Sequence, residues 1–227
     1  MSNHSGIDLA TLMSISVHDI KNDINHLISK VENIEIHQPA LAQQLPTLSS
    51  IKTDAVHISN QLVQVLALYK AKEGLLKPLI DQHGLSEFLE EKCAHYAGQC
   101  KVQHKSISVV CDDQLCAFFD EALISSILDS TLENALRHAK KQLLLRAEYT
   151  APYQVIRIED DGPGYPDELL ADAIQANSID QDSRHTGLGF YFAQTILALH
   201  HTPKLSAYFT LGRSSQLGGA CFSIFLP

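Results

Sequence analysis

Apolar residues recur in steps of three and four from Ala10 to Ile34: Ala10, Met13, Val17, Ile20, Ile24, Leu27, Val31 and Ile34. That spacing is a heptad seam along one side of an α-helix. A second seam runs through Leu48, Ile51, Ala55, Ile58, Leu62, Val65 and Tyr69. Between them, Pro39 and Pro46 interrupt the helical pattern, so the segment 37–46 is expected to turn. Gly74 and Pro78 end the second helix. Two narrow seams cannot both be buried by a lone hairpin, but two hairpins paired as a four-helix bundle bury all of them. The pattern therefore predicts a symmetric homodimer.

From about Leu79 the period changes. Helical patterns over 86–97, 121–139 and 189–200 alternate with strand-like stretches at 106–111, 115–119, 142–149, 154–159, 204–211 and 220–226. Asp112-Asp113-Gln114 reads as a turn joining two of these strands, and Asp120 as the N-cap of the helix that follows. The stretch 149–153 is short enough for a hairpin. The fold class expected is α+β. A helical hairpin over residues 1–76 forms a dimeric four-helix bundle, and an α/β sandwich over 77–227 has a mixed sheet covered by helices on one face.

Composition narrows the function. The 227 residues are 45% hydrophobic, enough for one large domain or two small ones with a real core in at least one, and the net charge of -9 argues against a nucleic-acid partner. No run of about 18 apolar residues is present, so no membrane span is expected. The five cysteines form no CxxC pair, and the polar N-terminus lacks a basic-then-apolar leader pattern. Together these features predict reduced thiols and a cytoplasmic protein.

Two constellations carry candidate chemistry. On the first helix, His18 follows the seam residue Val17 and so lies on the shoulder of the bundle, with Asp19 beside it and Asn22 one turn on. A neutral imidazole keeps one nitrogen free to attack phosphorus. Asp19 is the nearest acid able to orient the other nitrogen, and the Asn22 amide is placed to position a water against a phosphate. In the second part, the helix bearing Leu132-Glu133-Asn134-Ala135 offers Asn134, whose side chain either pins its neighbours or ligates Mg²⁺. Arg137 and His138 lie on the same side, within reach of phosphate and of ribose or base. Asp160 ends a strand beside Gly162 and Gly164, where a carboxylate can accept from the exocyclic amine of adenine and the glycines let backbone approach the base. Thr186, Gly187, Leu188 and Gly189 open a helix, a ready anion site for a polyphosphate. The polar stretch 165–185 between the two turns is placed to fold over a nucleotide as a lid. Glycines split over two distant turns exclude a Rossmann fingerprint, and no Walker A loop is present.

In this order the motifs resemble the two-component sensor histidine kinases, over about residues 10–227. His18-Asp19-Ile20-Lys21-Asn22 resembles the family's histidine box, and Leu132-Glu133-Asn134-Ala135 its asparagine box. Asp160-Asp161-Gly162-Pro163-Gly164 and Thr186-Gly187-Leu188-Gly189 resemble its two glycine boxes, and 218–227 its closing strand. The resemblance implies a dimerisation and phosphotransfer hairpin followed by an ATPase domain of the gyrase–Hsp90–histidine kinase–MutL type. It implies ATP and Mg²⁺ as cofactors, His18 as phosphoacceptor, Asp19 as the acid that activates it, and Asn22 as an aid to dephosphorylating a partner. It implies Asn134 on Mg²⁺, Arg137 and His138 on the nucleotide, Asp160 on adenine, and 187–189 around the phosphates. The implied partners are a response-regulator receiver domain, a second copy of the chain and a separate sensor protein. The chain departs from the family pattern at Asp23, Ser130, His185 and Ala220, and its lid lacks the phenylalanine box. Two further readings use the same features: a histidine phosphotransferase or phosphatase whose second domain no longer turns over ATP, and a non-catalytic dimeric adaptor.

Overall fold

A computed structural model of the chain describes residues 9–37, 47–174 and 188–227. Its residues divide into two compact units, Met1–Leu76 and Lys77–Pro227.

The first unit is two long helices packed on each other, α1 (Leu9–His37) and α2 (Thr47–Lys72). The expected turn at 38–46 lies outside the described residues. Val17, Val31 and Ala55 are buried between the helices, and Lys52 pairs with Glu32 across them at 2.6 Å. The other half of each seam faces out. Ile20 and Leu27 on α1 are 43% and 45% exposed, and Ile51, Ile58 and Val65 on α2 are 40%, 50% and 40% exposed. From Val17 to Val31 and from Ile51 to Val65 the seam positions therefore alternate, one buried or half-buried and the next exposed. At the end of α2 the Gly74 N–H donates to the Ala71 carbonyl (3.0 Å) and the Leu75 N–H to the Lys70 carbonyl (2.8 Å), a Schellman pattern.

The second unit begins with β1 (Asp81–Gly84) and α3 (Leu85–Val102), followed by β2 (Ser106–Val110) and β3 (Cys116–Phe119). Next come α4 (Glu121–His138), the strands β4 (Gln142–Thr150) and β5 (Tyr153–Asp160), and α5 (Asp167–Ile174). The unit closes with α6 (Leu188–Ala198), β6 (Tyr208–Arg213) and β7 (Ala220–Leu226). Five strands form one sheet in the order β2-β4-β5-β7-β6, with β2 and β4 parallel and the other pairs antiparallel. The expected mixed sheet is present, as is the β4–β5 hairpin.

Period-2 alternation gives the sheet one apolar face, with Leu145, Ile156, Ile158, Phe222 and Ile224 buried. The buried faces of α3 (Leu85, Phe88, Leu89), α4 (Ile124, Ile127, Leu128, Leu132) and α6 (Phe192, Ile196, Leu197) complete that core. On the opposite face Glu148 accepts from Arg157 Nε (3.1 Å) and Nη2 (2.9 Å), and Arg157 Nη1 donates to Ser223 Oγ (2.8 Å).

Two strand expectations change. β2 and β3 do not pair with each other. β2 joins the large sheet, and β3 forms a separate two-stranded ribbon with β1, a strand the pattern did not predict. The 112–114 turn is real, but pairing partners are chosen by tertiary packing rather than by adjacency. The last hairpin also begins later than expected, at Tyr208, because 201–207 is taken up by a turn with an isolated His201–Ser206 bridge.

Candidate functional site

His18 stands on the outer surface of α1, with side-chain exposure of 71% against 70% for Asp19. Its Nδ1 lies 3.5 Å from Asp19 Oδ1 and 3.3 Å from Asn22 Nδ2. Both neighbours approach the same ring nitrogen, so neither occupies Nε2. The helix produces this arrangement because residue 22 lies one turn beyond residue 18 on the same face.

In the second unit α4 is the floor of the candidate nucleotide site. Asp120 caps its N-terminus, accepting from the Leu123 N–H at 3.0 Å. At the other end, a Cβ on Gly162 would sit 2.7 Å from the His138 carbonyl oxygen, so the glycine turn after β5 lies directly against the last turn of α4. A Cβ on Gly189 would meet Ser130 Oγ at 3.0 Å, so the start of α6 lies against the middle of the same helix. Ser130, Asn134 and His138 are each four residues apart and share one face, with about 6 Å of rise between neighbours. Asn134 is half-buried midway along this face, and Arg137 and His138 are exposed at its end. Of the predicted residues, Asn134, Arg137 and His138 lie on α4, Gly162 and Gly189 approach it, and Asp160 stands beside Gly162; Gly164 lies against Gly219 and Arg213 instead. Thr186 and Gly187 lie outside the described residues, as does the part of the expected lid from 175 to 185; its first part is not aperiodic but forms α5.

Asp160, 3% exposed, is held tightly at the end of β5. Its Oδ1 accepts from the Gly162 N–H at 2.7 Å and the Ala220 N–H at 3.2 Å, and its carbonyl accepts from the Gly219 N–H at 3.0 Å. Both side-chain bonds go to Oδ1, which fixes the plane of the carboxyl and the direction of Oδ2. Asp161 does something different. It accepts from the backbone N–H groups of Lys140 (2.8 Å), Lys141 and Gln142, binding the glycine turn to the α4–β4 loop. Partial burial would raise its carboxyl, but the donors from Lys141, Gln142 and Lys140 outweigh that and hold it below the usual carboxylate range. Tyr165 closes the side of the turn, its ring 6.1 Å from that of Phe190. Desolvation, with the charge of Asp160 beside it, pushes the Tyr165 hydroxyl well above the usual tyrosine value.

Sequence reasoning passed over the 214–220 turn, quoting Gly218-Gly219-Ala220 only as the start of a closing strand. A doubled glycine just ahead of a buried strand was the available signal. No group of three or more His, Cys, Asp or Glu able to hold a metal occurs among the described residues. The Asn134 side-chain oxygen on this face is a group that could hold a magnesium ion together with substrate phosphates. No described helix is long and apolar enough to cross a membrane.

Residues 119–227 match the family described as histidine kinase-, DNA gyrase B-, and HSP90-like ATPase. The chain is 23% identical over 185 residues to the sensor histidine kinase YkoH of Bacillus subtilis, an alignment covering 76% of this chain and 40% of that protein. It is 32% identical over 105 residues to the two-component sensor PhoQ of Pseudomonas aeruginosa, covering 46% of this chain and 22% of that one. The chain thus spans well under half the length of these curated relatives. Among solved structures, the Acinetobacter baumannii histidine kinase AdeS shares the fold with a TM-score of 0.58 and 18% identity, over 85% of this chain and 96% of that one. Full-length ShkA in complex with AMPPNP matches with a TM-score of 0.63 and 16% identity, over 95% of this chain and 45% of that one. These similarities support a histidine kinase catalytic core.

Proposed function

We propose that the chain is a protein-histidine kinase. In this reading residues 77–227 bind ATP, His18 accepts its γ-phosphoryl group, and the phosphate passes on to an aspartate of a response-regulator receiver domain. The observation that carries the reading is the shared face of α4. The base-reading turn meets it at His138 and the phosphate-side helix start meets it at Ser130, with Asn134 between them. That order matches a nucleotide lying along the helix: adenine at Asp160, ribose and phosphates past Arg137 and His138, polyphosphate at Leu188, Gly189 and the preceding Thr186 and Gly187. Gly162 lets backbone approach the base, and Gly164, at φ +87°, turns the chain away. Bound Mg²⁺ would neutralise phosphate charge at Asn134, and catalysis is otherwise positioning.

At His18, Nε2 is the attacking nitrogen; Asp19, 3.5 Å from Nδ1, takes the Nδ1 proton once the Asn22 amide nitrogen, which lies 3.3 Å from the same Nδ1, moves off it, and the Nε2 lone pair is then directed outward. Nε2 forms the N–P bond as the bond from the γ-phosphorus to the bridging oxygen breaks, and ADP leaves with that electron pair. Asn22, whose amide already lies 3.3 Å from the imidazole, is placed to orient water for the reverse task of dephosphorylating the receiver. The outward halves of the two seams (Ile20, Leu27, Ile51, Ile58, Val65) are covered by a second copy in a four-helix bundle.

The test is incubation of the purified chain with γ-labelled ATP and Mg²⁺ beside a His18→Ala control. Acid-labile label on the wild type and none on the variant is the expected result. ATP binding without label on either would favour a phosphotransferase or phosphatase, and neither binding nor label would leave an adaptor.

A further inference from the structure

Two consecutive acids end β5, and alternation along a strand sends them to opposite faces of the sheet. Asp160 points into the nucleotide side. Glu159, only 2% exposed, points to the other face, where the Ser214 hydroxyl donates to its Oε2. Ser214 is itself 4% exposed and organises the turn between β6 and β7. Its Oγ accepts from the Gln216 N–H (3.2 Å) and the Leu217 N–H (2.8 Å), its carbonyl accepts from Gly218 (3.1 Å), and its own N–H donates to the Gly219 carbonyl (2.8 Å). That hydroxyl uses its one donor and both acceptor positions. The turn it shapes delivers the Gly219 and Ala220 N–H groups to Asp160. There is no slack at the join: a Cβ on Gly219 would lie 2.5 Å from the Asp160 carbonyl oxygen, from its Oδ1 and from the Gly162 nitrogen.

We propose that Glu159 and Ser214 are positioning residues for base recognition: their buried hydrogen bond fixes the 214–219 turn, and the turn in turn aims the Asp160 carboxyl. The inference rests on the reading of Asp160 as the group that meets adenine. One strand end thus serves both sides of the sheet, Asp160 meeting the ligand and Glu159 holding, from behind, the loop that orients it. Removing the Ser214 hydroxyl leaves a buried carboxyl oxygen without its donor and two backbone N–H groups without their acceptor, so the turn relaxes and Oδ1 loses the Ala220 bond.

The test compares affinity for Mg²⁺-ATP with affinity for Mg²⁺-tripolyphosphate, which has no base, in wild type, Ser214→Ala, Ser214→Thr, Glu159→Gln and Asp160→Asn, at a temperature where each is folded. Ser214→Ala is expected to weaken ATP about tenfold, the size of one good hydrogen bond, and to leave tripolyphosphate unchanged. Ser214→Thr keeps the hydroxyl and is expected to restore ATP binding. Glu159→Gln keeps an acceptor without the charge and is expected to fall between wild type and Ser214→Ala, which keeps the idea testable if the alanine variant does not fold. A lower melting temperature in Ser214→Ala with unchanged ATP affinity, or equal losses for both ligands, would overturn the positioning role. If Asp160→Asn itself leaves ATP affinity unchanged, the adenine reading of Asp160 fails and this inference falls with it.

Discussion

His200 is a buried histidine with both ring nitrogens committed. Its Nδ1 lies 2.9 Å from the Ile196 carbonyl in the last turn of α6, and Nε2 accepts from the Asp120 N–H at 3.0 Å. Asp120 also caps α4 and accepts from the Leu79 N–H at 2.7 Å, so one imidazole helps join α6, α4 and the entry to the second unit. Desolvation lowers the His200 pKa below its ordinary 6.5, and the Ile196 carbonyl and the Asp120 charge only partly oppose that. The neutral ring is the one that can accept from Asp120, so protonation favours the unfolded chain. Stability contributed by this residue is therefore present above the ordinary histidine value and is lost as pH falls from there through the lowered folded-state value. A His200→Phe variant is expected to be less stable at pH 7 by about 2 kcal/mol, from the lost buried bonds, and to show a shallower decline from pH 7 to pH 5. Urea midpoints across that range measure both effects, and parallel slopes in the two proteins would refute the assignment. At this scale the sequence pointed to Asp160 because it stands at a strand end beside glycines. It was silent on Asp161, whose donors at 140–142 are distant in sequence, and on Ser214, whose partner lies across the sheet.

Among elements, the hairpin helices were the most legible because a 3.5-residue period over so many turns has one structural meaning. The finer lesson is that the seam is split between two jobs. Val17, Val31 and Ala55 close the hairpin, and Ile58, 50% exposed, sits in the heptad series that points away from it. Ile58→Asp is therefore expected to keep the helical circular-dichroism signal while shifting the protein to monomer in sedimentation equilibrium at micromolar concentration. Val31→Asp, which buries a charge inside the hairpin, is expected to lose helical signal as well. A dimer that survives Ile58→Asp unchanged would mean that this face is not the interface. Short strands were less legible. β1 carries Asp81-Gln82-His83-Gly84, which has no apolar alternation, and it forms because β3 offers it a free edge.

At the scale of the molecule, the two units are expected to behave independently. Residues 77–227 have a complete core and sheet of their own, so the isolated fragment is predicted to unfold in a single cooperative transition and to bind ATP, without labelling itself. Calorimetry with and without nucleotide checks this, and a fragment that neither folds nor gains stability from ATP would contradict it. What the sequence alone determined here is whatever local chemistry dictates: two heptad helices, a histidine with an acid and an amide within one turn, and glycine turns flanking an asparagine-bearing helix. Each depends on residues at most a few turns apart, so periodicity and spacing reveal it. Tertiary structure alone decided which strands pair, which half of each seam is left outside, and how Asp160 is aimed. Those outcomes depend on groups brought together from distant positions, such as Glu159 and Ser214 or Gly162 and His138, and their approach is set by packing the whole core.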